Sequence, residues 1–240
     1  MRLLEIKELA KANGTKTVVR GVSLAVKRGE VVGLLGPNGA GKTTTFYMIV
    51  GIISPDRGRI LFDNQDITSM SIHMRARFGI GYLSQEPSVF RKLTVEENIM
   101  SILETLPLTR TERVRRVGEL LKELNISHLH KNKAYTLSGG EMRRLEITRA
   151  LVTKPSFLLL DEPFSGIDPI VVGEAKQIIS ELKNKGIGIL LTDHNVRETL
   201  SITDRSYLIS EGRILIAGTS QDLITHEEAR KIYLGKDFKM

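Results

Sequence analysis

Nine consecutive residues, Gly36, Pro37, Asn38, Gly39, Ala40, Gly41, Lys42, Thr43 and Thr44, follow the apolar run 31–35. Glycines at this spacing let backbone N–H groups turn inward around a polyphosphate, and a helix starting there points the positive end of its dipole at the same anion. Lys42 supplies a point charge for the β and γ phosphates. The Thr43 hydroxyl is a ligand for Mg²⁺ held against them. A glycine-rich turn that binds nothing has no need of the whole G-x-x-x-x-G-K-T pattern between a strand run and a helix run.

A second set of groups belongs at strand ends. The apolar run 157–160 leads into Asp161, Glu162 and Pro163. Successive strand residues point to opposite faces, so Asp161 is expected to hold the Mg²⁺ shell while Glu162 faces the attacking water. A general base in that position contributes about 10²- to 10⁴-fold. Two carboxylates at a buried strand end are costly without cations nearby. Gln85 follows the strand run 78–83 and can reach Mg²⁺ or a water beside the γ phosphate, on the side where open α/β sheets bind ligands. His194 follows the run 187–191 and offers a donor at the same edge to sense a γ phosphate. Alone, a loop glutamine or a single histidine reads as structural. The surrounding motifs reverse that reading. Ser138, Gly139 and Gly140, with Glu141 three residues after Ser138, have the spacing of a capping box and leave a bare helix N-terminus, a second anion site. One chain cannot use both anion sites on one nucleotide unless two subunits meet.

The elements that must position these residues follow from periodicity and punctuation. Short β-type runs over 2–9 and 18–26, joined at Asn13-Gly14, predict an antiparallel opening. A helix is expected over 43–50, ended by Gly51, then a turn at 55–58 and a strand over 59–62. Helical patterns cover 95–106, 111–124 and 139–152, with Pro107, Asn125 and Ser138 as breakers or caps. A loop at 165–169 precedes a helix over 171–183, and strands over 206–209 and 213–217 flank the Glu211-Gly212 turn before a helical tail. The fold class predicted is α/β, a phosphate-loop NTPase core (about 1–86 and 155–240) with a mostly parallel sheet, an N-terminal antiparallel β part and an inserted helical subdomain (about 87–154).

Composition sets outer bounds. With 41% apolar and 26% charged residues, the 240-residue chain is ordinary for a globular protein. The absence of cysteine excludes disulfides, thiolate metal sites and cysteine nucleophiles. No stretch offers the roughly 18 apolar residues of a membrane span, so a membrane role is expected to be peripheral. The net charge of +7 gathers at 110–116, 131–133 and 143–144. Without interleaved aromatics these clusters read first as solvated helix surface, second as a face for anionic lipid, and last as a nucleic-acid site.

With those residues placed, the chain resembles the nucleotide-binding subunits of ABC transporters over essentially its whole length. Residues 36–44 match the Walker A loop, Gln85 the Q-loop, 137–141 the signature, 157–162 the Walker B strand, 165–168 the D-loop and His194 the H-switch. The resemblance implies ATP and Mg²⁺ as cofactors, with Thr43, Gln85 and Asp161 on the metal and Glu162, His194 and Gln85 as catalytic residues. It also implies a head-to-tail homodimer enclosing two ATP molecules, with Ser138, Gly139 and Gly140 binding the γ phosphate in trans. Two transmembrane permease subunits would hold the dimer at the cytoplasmic face of the bacterial inner membrane, with Phe90 and Arg91 lining the groove where a permease helix docks. Within the family, residues 43–48, 88–93, 193–200 and 233–238 point to the lipopolysaccharide-export ATPases, with the importers of branched-chain amino acids as the nearest rivals. A departure lies at Asn13, where the family normally has an aromatic residue that stacks on adenine. A GTPase would need an Asn-Lys-x-Asp base reader, and 132–135 and 184–187 lack its aspartate. A DNA-repair ATPase of the superfamily usually carries a long coiled coil or a tandem cassette.

Overall fold

Alternating apolar and polar residues along β1 (Leu3–Asn13) and β2 (Lys16–Lys27) turn Leu4, Ile6, Val22, Leu24 and Val26 inward, and the two strands pair antiparallel across the Asn13-Gly14 turn. The computed structural model describes residues 3–86, 88–166, 168–235 and 238. The fully buried β3 (Val31–Leu35) runs through the phosphate loop into α1 (Lys42–Val50), which Gly51 ends in a left-handed cap. Then come β4 (Arg57–Phe62), β5 (Gln65–Asp66), α2 (Ile72–Phe78) and β6 (Ile80–Leu83). Between β6 and the next strand lie α3 (Val95–Leu103), α4 (Arg110–Glu123) and α5 (Gly139–Leu151), opened by capping boxes at Thr94, Thr109 and Ser138. The chain continues through β7 (Phe157–Asp161), α6 (Pro169–Asn184), β8 (Gly188–Thr192), α7 (Val196–Ile202), β9 (Arg205–Ser210), β10 (Arg213–Gly218) and α8 (Ser220–Thr225).

The strands form a six-stranded sheet in the order β10-β9-β3-β8-β7-β6, parallel except for the β9–β10 pair, and a four-stranded antiparallel sheet in the order β2-β1-β4-β5. Alternation along the buried strands feeds two cores. Leu158, Leu160, Ile189 and Leu191 pack toward the helices between β6 and β7 and toward α6, while Leu159, Leu190, Val32 and Leu34 pack toward β1, β2 and α1. The C-terminal ends of β3, β6, β7 and β8 share one sheet edge, which therefore carries the phosphate loop, Gln85, Glu162 and His194 together.

Several boundaries depart from the sequence reading, among them the extension of β1 to Asn13, and two have an identifiable cause. The strand expected over 78–83 begins only at Ile80, because Phe78 closes α2 and Gly79 caps it in the left-handed region. That unpredicted helix is fastened by Arg75, which is 1% exposed. Its guanidinium donates to the carbonyls of Met48 at 2.6 Å, Ile49 at 2.7 Å, Thr68 at 2.7 Å and Met70 at 2.9 Å, satisfying the open end of α1, and burial lowers its pKa to about 10. Arg75→Met is expected to leave these acceptors buried and unpaired, costing about 3 kcal/mol or more. Urea unfolding would show it as a lower midpoint at unchanged slope. The other departure is α3, which stops at Leu103 rather than 106, since Pro107 disfavours helical geometry at the residue before it.

Candidate functional site

The start of the phosphate loop packs too closely on backbone to admit a side chain. Gly36 has φ 155°, and a Cβ there would lie 2.1 Å from the Ile209 carbonyl oxygen. Gly41, at φ 104°, opens α1, and its carbonyl accepts the Thr45 N–H at 2.9 Å and the Thr45 hydroxyl at 2.8 Å. Lys42 is buried, and its amine donates to the carbonyls of Gly36 at 2.7 Å and Pro37 at 3.1 Å, arching over the loop. Burial lowers the Lys42 pKa, opposed by the charges of Glu162 and Asp161. Asn38, Gly39 and Thr43 are exposed, Pro37 and Thr44 are half-buried, and Ala40 is buried.

At the neighbouring strand end Asp161 is buried, and its Oδ2 accepts the Tyr82 hydroxyl at 3.2 Å. Burial raises the Asp161 pKa more than the Tyr82 hydroxyl and Lys42 lower it. Glu162 does not continue the strand alternation. It sits at φ 50°, and its N–H donates to the Thr192 carbonyl at 2.7 Å. This left-handed turn is a conformation uncommon for a residue with a Cβ and one that persists where surrounding structure enforces it. Glu162 Oε2 accepts the Gln85 amide at 2.8 Å and lies 3.3 Å from His194 Nδ1. The three strand-end residues singled out by sequence thus meet on one oxygen.

Asp193 and Tyr233 fall within the stretches 193–200 and 233–238 that carry the family resemblance, but the sequence assigned neither a part in this site. Asp193 is fully buried, and its oxygens accept the Phe164 N–H at 2.7 Å and the Asn195 N–H at 2.8 Å, tying the segment after Glu162 to the end of β8. Burial raises its pKa ahead of those hydrogen bonds. Tyr233, near the C-terminal end, is pushed up to about 12 by burial, close enough to Gly36 for its backbone N–H to pull the other way. Lys236 and Asp237, part of the same closing stretch, lie outside the described residues, as does Ile167 of the 165–168 loop.

Thr43, Gln85 and Asp161 offer a hydroxyl, an amide carbonyl and one carboxylate. Among the described residues no group of three or more His, Cys, Asp or Glu could hold a metal. Such an all-oxygen, low-charge donor set fits a hard cation that takes its remaining ligands from phosphate and water.

Ser138 opens α5. The Glu141 N–H donates to its Oγ at 3.4 Å, and its own N–H donates to Glu141 Oε2 at 2.8 Å, which holds the Glu141 carboxyl below the usual range. A Cβ on Gly139 would meet nothing within 4 Å, and one on Gly140 would lie 3.2 Å from Glu174 Oε2. These residues, with Gly166 and Asp168, line a cleft of about 630 Å³ whose lining includes no residue of the phosphate loop.

Phe90 is 52% exposed. Asn98, fully buried on α3, clamps its backbone, accepting the Phe90 N–H at 2.8 Å and donating to the Phe90 carbonyl at 3.0 Å. Arg149, near the end of α5, lies 5.0 Å over the Phe90 ring and donates to the Ser88 carbonyl. Arg91 is exposed, and its carbonyl accepts the Tyr135 N–H at 3.1 Å.

A phosphate loop after a central parallel strand, a Gln–Glu–His constellation on the adjoining strand ends, and a capped helix N-terminus with two glycines on a separate helix define an ATP-binding cassette. The family model described as ABC transporter matches residues 19–165, and the chain belongs to that family as an ABC-type ATPase. More particularly, it is 53% identical over 238 residues to the "Lipopolysaccharide export system ATP-binding protein LptB" of Acidithiobacillus ferridurans, covering 99% of each chain. It is 51% identical over 241 residues to the protein of the same name from Haemophilus influenzae, covering 100% of each. Among solved structures, an ATP-binding cassette of an ABC transporter in its ADP conformation is similar at TM-score 0.88 and 31% identity, with 98% of this chain and 100% of that one covered.

Asn13 is exposed at the end of β1, paired with Lys16. Stacking of a base on an aromatic side chain is worth about 1–3 kcal/mol in nucleic-acid complexes. Without it, phosphate contacts should dominate, so GTP is expected to compete for the site within about tenfold of ATP, and Asn13→Tyr to tighten ATP binding by about tenfold. Competition titrations check this; strong adenine preference with no gain from tyrosine would mean that another group reads the base.

Proposed function

We propose that this chain is the ATP-hydrolysing subunit of a lipopolysaccharide exporter. The observation that carries the reading is full-length identity of 51–53% to proteins named for that system. The rival reading, a branched-chain amino-acid importer ATPase, rests on core motifs that both branches share.

In this reading residues 36–44 hold ATP, with Lys42 and the loop N–H groups around the β and γ phosphates. Thr43, Gln85 and Asp161 would hold Mg²⁺, which would supply positive charge against the phosphates. Glu162 takes the proton from the attacking water, while Gln85 and His194 orient its carboxylate and respond to the γ phosphate. Two copies pair head to tail, so that Ser138, Gly139 and Gly140 of one meet the nucleotide of the other. The open space at Gly139 supports this: nothing within the chain requires a glycine there, whereas a ligand approaching the helix N-terminus does. Residues 87–154 act as a helical subdomain moving with the permease, and the dimer works at the cytoplasmic face of the inner membrane. No helix among the described residues is long and apolar enough to cross a membrane, which suits attachment through partner subunits.

Phe90 and Arg91 form the docking point for a permease helix. Phe90→Ala is expected to abolish co-purification with the membrane-spanning partners while ATP affinity stays within about twofold, as the residue is absent from the nucleotide site. Unchanged co-purification would contradict the assignment.

A further inference from the structure

A cleft of about 790 Å³ opens where the α3–α4 connection meets the ends of α2 and α5. None of its lining belongs to the phosphate loop, the strand-end constellation or the Ser138 cleft. Leu103, Leu106, Leu108 and Val152 give it an apolar wall, and Arg77, Arg115, Arg116 and Lys154 surround that wall with positive charge. Part of this charge is the basic run 110–116, which the ATPase reading leaves unexplained.

The acids in the lining do not balance these cations. Glu112 is held in the α4 cap, where its Oε2 accepts both the N–H and the hydroxyl of Thr109 at 2.7 Å, and its charge is shared with Arg115. Glu119 is divided between Arg115 at 3.8 Å and Arg116 at 3.2 Å, and Arg116 still leaves a buried Nε without a hydrogen bond. Among the described residues Arg77 donates to the Thr105 carbonyl alone, at a long 3.4 Å. Lys154, exposed at φ 52°, has no ion pair among the described residues. Arg77, Arg115 and Lys154 are exposed, as cations on a solvated helix surface are, but they rim a slot of ligand-binding size walled by Leu103, Leu106, Leu108 and Val152.

We propose that this cleft binds an amphiphilic anion, with an acyl or aryl body against Leu106, Leu108 and Val152 and a carboxylate or phosphate among Arg77, Arg115 and Lys154. Arg77 stands on α2 and Arg115 on α4, so an occupant bridges the core to the helices between β6 and β7. A charged head supplies the counter-charge that the chain lacks, and burial of the body removes apolar surface from water.

The test is calorimetric titration of the full chain with dodecyl phosphate below its micelle concentration, beside dodecanol, inorganic phosphate and phosphatidylglycerol vesicles. Saturable one-to-one binding is expected, at least tenfold tighter than dodecanol, with no response to inorganic phosphate. Lys154→Glu and Leu106→Glu should each weaken it at least tenfold with ATP affinity and melting temperature retained. If Leu106→Glu melts early, Lys154→Glu decides alone. Absence of binding, equal binding of dodecanol, or binding indifferent to Lys154→Glu would overturn the proposal. Capture by vesicles without titration of the monomer would overturn it too, assigning the charge to a membrane-facing surface.

Discussion

Glu162→Gln is expected to lower ATP turnover by about 10²- to 10⁴-fold while leaving ATP binding intact. Glutamine is nearly isosteric and can sit in the same left-handed turn, whose N–H bond to the Thr192 carbonyl involves no side chain. What it lacks is a carboxylate to take the proton from water. The oxygen on which Gln85 and His194 converge is the one that would carry that proton, so the effect falls on turnover and not on the loop that holds the phosphates. A nucleotide that binds but is not cleaved should keep two chains closed around it. Sedimentation with ATP and Mg²⁺ is expected to show a dimer for this variant and mainly monomer without nucleotide. Turnover near the wild-type rate would remove Glu162 from the role of base.

Lys42→Met should lose about 10²-fold or more in ATP affinity. Charge-assisted hydrogen bonds contribute about 1.5–3 kcal/mol each, and in the proposed function the amine serves two phosphates. Its partners in the present structure are the Gly36 and Pro37 carbonyls, so the variant also removes an internal tie across the loop. Two effects should therefore appear together: weaker binding of a fluorescent nucleotide, and a lower melting temperature even without nucleotide. Affinity within threefold of wild type would contradict the assigned contact.

The parts of this molecule legible in the sequence are those written locally. Residues 36–44, the strand ends at Gln85, Asp161 and His194, and the box from Ser138 to Glu141 each carry their meaning within a few positions, because backbone turns and helix caps are set by adjacent residues. The residues that escaped work across the chain. Arg75 fastens α2 to the end of α1, Asn98 clamps Phe90, and Tyr82 reaches Asp161 from the next strand, contacts that no short window displays. Glu162 shows a further limit: alternation expects it to follow the strand, whereas it stands at a positive φ that a run of strand residues cannot announce. The short α2 goes unread, because the part Arg75 plays shows only once its partner carbonyls are in place.

The central claim is that this chain hydrolyses ATP to drive lipopolysaccharide out of the inner membrane. The most direct measurement is to isolate tagged Glu162→Gln chain with ATP from the native membranes, crosslink it, and identify both the bound subunits and the co-purified lipid. The account predicts two membrane-spanning permease subunits with lipopolysaccharide, lost together when Phe90→Ala is added. Recovery of amino-acid importer permeases, or of soluble partners alone, would contradict it.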